Sequence, residues 1–179
     1  RDRLESLEYA KHVLLEKGLS VTALNHFVKC PSQFFYKSIL KLPEAPTASS
    51  EKGNAMHEAL SAVWALPQKD RSSVTETIIK VTADYFRHSF LPVYEKEVII
   101  EELRVNALKV AEALNDHFSQ KGIVASEKWE ETNFIGQFDN LPIELRLHGK
   151  LDAMVVTPKQ VFVYDYKTKE AMSEREIKG

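Results

Sequence analysis

A chain of 179 residues, 44% hydrophobic and 28% charged, suits one globular domain with a real core, or one and a small appendage. No apolar run approaches the ~20 residues of a membrane-spanning helix, and no charged n-region, apolar h-region and cleavage site open the chain. The net charge of −2 argues weakly against a bulk nucleic-acid binder, although a charge sum says little about one local groove. The single cysteine, Cys30, leaves no disulfide framework and favours a reducing, cytoplasmic setting. The chain begins Arg1-Asp2-Arg3 without a methionine and stops on Ile177-Lys178-Gly179, so it reads as a fragment cut from a longer protein.

Residues 4–16 are expected to be helical, with Leu4, Leu7, Val13, Leu14 and Leu15 as apolar positions and Gly18 as C-cap. Thr22 is a good N-cap for a short helix. Pro31 breaks that helix and starts the next, with Phe34, Phe35, Ile39 and Leu40 turned inward. "PEAPTASS", residues 43–50, has loop composition. Helices are expected over about 51–66, 73–90 and 95–120, the last two separated near Pro92 and ended by Gly122. The texture then changes. "IVASEKWEE", "NFIGQF", "PIELRLHG", "KLDAMVVT" and "QVFVYDYKT" read as strands, with turn signals at Asp139-Asn140 and Thr157-Pro158. A mainly helical part, 1–122, therefore precedes a mostly antiparallel sheet, 123–179, within one domain. That is an α/β chain in α+β order.

The stretch "HGKLDAMVVTPKQVFVYDYKTKE" carries the most chemistry. Alternation along a strand puts Asp165 and Lys167 on one face and turns Tyr166 away. If "KLDAMVVT" and "QVFVYDYKT" form a hairpin across Thr157-Pro158-Lys159, Asp152 and Asp165 lie nearly equidistant from its centre, side by side. Two adjacent carboxylates repel, and a hard divalent cation removes that cost. Mg²⁺ takes one or two carboxylates, keeps waters and adds phosphate oxygens. The Tyr166 carbonyl could complete the shell, and Lys167 could hold or help deprotonate a water. The plainer reading is a surface salt bridge from Lys167 to Asp165 or Asp152. His57 by itself is most simply a satisfied core or surface histidine, though it shares a helix face with Gly53, four residues earlier. Cys30 is by default a buried thiol. Phe34, Phe35 and Tyr36 suit a core, with Tyr36 able to face a base; Lys37 and Lys41 suit a solvated face.

Taken in order, these segments resemble the RecB-type nuclease domain of the PD-(D/E)XK superfamily. The matching pieces are Cys30-Pro31-Ser32-Gln33-Phe34-Phe35-Tyr36, Gly53 to His57, Gly149-Lys150-Leu151-Asp152, and Asp165-Tyr166-Lys167-Thr168. The opening from Leu19 to Leu42 looks most like nuclease domains fused behind UvrD-like helicases, or like AddB-type subunits. The resemblance implies a restriction-endonuclease-like core, a central mixed sheet flanked by helices behind an N-terminal helical region. It implies metal ligation by His57, Asp152, Asp165 and the Tyr166 backbone carbonyl, with Lys167 as catalytic lysine alongside Asp152 and Asp165. It implies Mg²⁺ or Mn²⁺ as cofactor, and DNA as substrate, a single strand or a duplex end delivered by a helicase region of the same or a partner chain. Tyr36 and Lys37 would contact the DNA. A degenerate nuclease fold serving as a non-catalytic DNA-binding or assembly module is the competing reading. Relatives usually carry a Q-x-x-x-Y helix after the D-x-K strand. The chain stops before one, so this piece is expected to be inactive or weak by itself. Some relatives hold an iron–sulfur cluster on four cysteines; Cys30 alone cannot, so no cluster is expected here.

Overall fold

The computed structural model describes residues 2–118, 122–138 and 140–168. Among them the helices are α1 (Asp2–Lys17), α2 (Val21–Lys29), α3 (Pro31–Phe34), α4 (Ala48–Trp64), α5 (Arg71–His88) and α6 (Val93–Phe118). The strands are β1 (Leu19–Ser20), β2 (Ile123–Phe138), β3 (Leu141–Val156) and β4 (Val161–Tyr164). β3 is the central strand: it pairs with β2, in parallel with β1, and antiparallel with β4. The helices-then-sheet order expected from the sequence is the order observed. Two predicted features, Asp139 of the turn and the end of the helix drawn to residue 120, lie outside the described residues. The chain divides into two compact units, one of residues 1–45 and 129–150, the other of residues 46–128 and 151–179.

In the first unit, α1 ends where predicted. Gly18 has φ +77°, and its N–H donates to the Leu14 carbonyl at 2.9 Å. A Cβ there would lie 2.5 Å from the Arg146 carbonyl oxygen, so only glycine fits. The next two residues pair with β3, Leu19 with Leu147 and Ser20 with His148. That pairing explains a correction. Ser20, not Thr22, caps α2: it is extended (φ −79°, ψ 155°) and its Oγ accepts the Ala23 N–H at 3.1 Å. Strand geometry at Ser20 sets the backbone angles an N-cap requires, and a two-residue strand leaves no pattern to read.

Pro31 opens α3 as expected, and a π-helical turn, Phe35–Ile39, follows. Val13, Phe34 and Ile39 form the small core here, with Phe35 packed against it. Leu40, expected inside, is 40% exposed. The wide turn, closed by Leu40 N–H to the Phe35 carbonyl, rotates that side chain off the inward face. Cys30 is exposed, not buried: it is the extended N-cap residue of α3.

In the second unit, α4, α5 and α6 pack around Ala55, Ala59, Val63, Ile78, Phe86 and Leu103. Thr47 caps α4 with a reciprocal pair to Ser50, which starts the helix at Ala48, earlier than composition implied. A second cluster joins Trp64 to Ala153 and Val155 of β3, with Phe162, Tyr164 and Tyr166 against it. The β3–β4 hairpin turns through Thr157 and Gln160, whose main chains bond at 2.9 Å. Its pairs run Val156–Val161, Val155–Phe162, Met154–Val163 and Ala153–Tyr164. "IVASEKWEE" and "NFIGQF", expected as two strands, are one, and "PIELRLHG" and "KLDAMVVT" are likewise one. β2 instead bends without stopping: Glu127 lies in the left-handed region, φ +55°. None of the described helices is long and apolar enough to cross a membrane.

Candidate metal centre

His57 sits on α4 beside a buried stripe of Ala55, Met56, Ala59 and Leu60. The stripe anchors the helix, and the imidazole, partly exposed, is directed to β3. Its Nδ1 lies 3.2 Å from Asp152 Oδ1, and the Asp152 side chain is only 15% exposed. The other Asp152 oxygen, Oδ2, accepts the Tyr166 N–H at 2.7 Å. Continuing the hairpin register one step past Ala153–Tyr164 sets Asp152 opposite Asp165. The ladder stops there, and the Asp152 carboxylate takes the next N–H in its place. One carboxylate is thus held at both oxygens, by a helix residue and by the strand end.

Tyr166 is fixed from its other side. Its hydroxyl accepts the Trp64 indole N–H at 2.7 Å, and its ring lies edge-on to His57 with centroids 6.4 Å apart. Burial pushes the Tyr166 phenol up to about 12; the Trp64 N–H opposes that, and Tyr164 and Asp152 reinforce it. The side turned away from Asp165 and Lys167, where alternation put Tyr166, is thus the core side.

Glu127 joins this group. One ligand atom from each of His57, Glu127 and Asp152 lies within 4.8 Å of the others. Two carboxylates and an imidazole are a suitable donor set for a hard divalent cation. The span compares with the roughly 3–4 Å between donors around an ion with ~2.1 Å bonds. The residues present therefore fit a metal. The left-handed backbone at Glu127 is a disfavoured state for a non-glycine residue, and such outliers cluster at functional sites. Nothing local in "SEKWEE" distinguishes this glutamate from its acidic neighbours.

The remaining sequence-derived residues are placed as follows. Asp165 and Lys167 share a face, as alternation required, and bond each other at 2.5 Å, both well exposed. Asp165 is not among the converging donors. Gly53 lies one turn before His57, but a Cβ there would meet only Thr168 Oγ1, at 3.6 Å, an ordinary contact. In the first unit, Tyr36 is 53% exposed with its ring edge-on to Phe35, and Lys37 pairs with Glu44 at 2.7 Å.

A mixed α/β fold that presents histidine and carboxylate donors beside a D-x-K strand end is a nuclease-type domain. Residues 18–178 match the PD-(D/E)XK nuclease superfamily, and the chain belongs to that superfamily. Its fold is accordingly restriction-endonuclease-like. No curated protein and no solved structure matches the chain.

Proposed function

We propose that this chain is the metal-dependent nuclease module of a RecB-type enzyme, an exodeoxyribonuclease that works with a helicase region in DNA repair or recombination. The observation that carries the reading is the convergence of His57, Glu127 and Asp152 within 4.8 Å in a chain of this superfamily. Asp165 and the Tyr166 carbonyl are the further ligands we assign. Bound Mg²⁺ or Mn²⁺ would neutralise these carboxylates and supply Lewis acidity toward a phosphate oxygen. The chain's own residues do the positioning. His57 and the Tyr166 N–H orient Asp152 from opposite sides, and the Trp64–Tyr166 bond anchors that strand end in the core. Lys167, exposed and paired with Asp165, is assigned to hold the water that attacks phosphorus while a P–O ester bond breaks. Tyr36 and Lys37 are assigned to the DNA.

The test is cleavage of end-labelled single-stranded and blunt duplex DNA by the intact protein, with Mg²⁺, Mn²⁺, Ca²⁺ or chelator. Mg²⁺ and Mn²⁺ should support cleavage, and Ca²⁺ should bind without supporting it well, because it accepts looser and longer coordination. Asp152→Ala and Asp165→Ala should abolish cleavage with loss of metal binding by calorimetry. Lys167→Ala should abolish it with metal and DNA binding retained. Cleavage at the wild-type rate by any of the three would overturn the assignment. DNA binding with no cleavage in any cation would favour the non-catalytic DNA-binding module.

A further inference from the structure

Trp129, on β2 in the first unit, is 63% exposed. Its ring lies against His148 of β3, with centroids 5.7 Å apart and planes tilted by 42°. An indole left this open on a strand is a large apolar surface with no core function. It forms one wall of a cavity of about 510 Å³ whose other walls are Lys17, Glu130, Glu131, Arg146 and His148.

Arg146 is held in place at this cavity. Gly18 sits so close to the Arg146 main chain that the end of α1 is pinned there. From that position the Arg146 guanidinium donates to the Glu16 carbonyl at 2.9 Å, which leaves further N–H donors for another partner. A second cavity, of about 450 Å³, shares Lys17 and His148 with the first and adds His26, Lys37 and Lys41. Along the two, four cations face two carboxylates, in a chain whose net charge is −2. Lys37 is paired with Glu44, whereas Lys17 and Lys41 have no ion-pair partner among the described residues.

We propose that this surface binds single-stranded DNA, with Trp129 and His148 stacking on one unpaired base and Lys17, Arg146 and Lys41 contacting the phosphates on either side. The chemistry selects the ligand. Aromatic faces between cations suit a strand whose bases are free to stack, and a duplex hides those faces in its own stack. Glu130 and Glu131 repel phosphate, so the phosphates follow the Lys17 and Lys41 side. The site rests on the nuclease reading for the identity of its ligand, and the measurement below separates the two.

The experiment is titration of the chain with oligo(dT), blunt duplex and oligo(U) in chelator, followed by anisotropy and by tryptophan emission. Trp64 is 4% exposed, so quenching on binding reports Trp129. Oligo(dT) should bind with quenching, and the duplex more weakly with little. Trp129→Ala should weaken oligo(dT) by roughly 5- to 150-fold, the range for loss of one stacked base. Trp129→Phe should keep most of the affinity and lose the quenching. Lys17→Gln should lower the salt slope by roughly 0.7. Unchanged affinity in a folded Trp129→Ala, or equal quenching by duplex, would overturn the site. Tighter binding of oligo(U) than of oligo(dT) would overturn its assignment to DNA. Binding and quenching as described, with no cleavage by the intact protein in any divalent cation, would uphold this site and overturn the nuclease reading. Normal cleavage with Trp129→Ala binding unchanged would do the reverse.

Discussion

Asp152→Asn should leave the metal-free protein as stable as wild type or more stable, while removing its response to Mg²⁺. Two effects oppose each other in the metal-free state. The amide keeps an oxygen for the Tyr166 N–H, now 2.7 Å from Asp152 Oδ2, but the bond loses its charge assistance. Charge-assisted and neutral hydrogen bonds differ by about 1 kcal/mol, which is the expected loss at the Tyr166 N–H, while the longer contact to His57, 3.2 Å, is kept by the amide N–H donating to the imidazole's other tautomer. Against it stands repulsion from Glu127, whose ligand atom lies within 4.8 Å. At that separation two unit charges repel by roughly 3.5 kcal/mol at an effective dielectric of about 20, and by about 0.9 in water. The site is partly open, with His57 30% exposed, so an intermediate value of ~1–3 kcal/mol applies. The net change is between zero and about 2 kcal/mol in favour of the variant. For a chain of this length that raises Tm by about 0–8 °C. About 10 mM Mg²⁺ acting on a site with Kd near 1 mM should stabilise wild type by about 1.4 kcal/mol and the variant by nearly nothing. Thermal melts of both proteins in chelator and in Mg²⁺ measure all four states. A metal-free variant destabilised by more than about 2 kcal/mol, or one with the wild-type Mg²⁺ shift, would refute the reasoning.

Gly53→Ala should stabilise α4 by about 0.5–1 kcal/mol in denaturant titration, since helix propensity gains and the added Cβ meets Thr168 Oγ1 only at 3.6 Å. Tyr166→Phe leaves the indole N–H of Trp64, 4% exposed, without the phenol oxygen, and should cost about 1–3 kcal/mol in the same measurement. In an alkaline absorbance titration, wild type should show a tyrosine near 12 that the Tyr166→Phe variant lacks. Its sign follows from a folded-state value above the ordinary ~10: the neutral phenol's contribution to stability is whole below pH ~10 and is lost as pH rises through about 12.

The sequence by itself determined the parts whose information is local. Gly18, Pro31 and Pro92 punctuate the helices, and each marks a boundary close to one found. The Thr157-Pro158 turn and two-residue alternation set the hairpin register, observed from Val156–Val161 to Ala153–Tyr164, and turn Tyr166 away from Asp165 and Lys167. Tertiary structure decided the rest, because the deciding contacts are long-range. Ser20 caps α2 because it pairs with His148, more than a hundred residues away. Leu40 turns outward because a π-helical turn changes the period on which inward positions are counted. Glu127 meets His57 and Asp152 through a left-handed bend within β2, and Trp129 acquires a stacking partner only when β2 lies beside β3. A carboxylate in an acidic run has no local mark that distinguishes donor from solvated neighbour. Its role is set by the atoms that pairing and packing bring within a few ångströms of it.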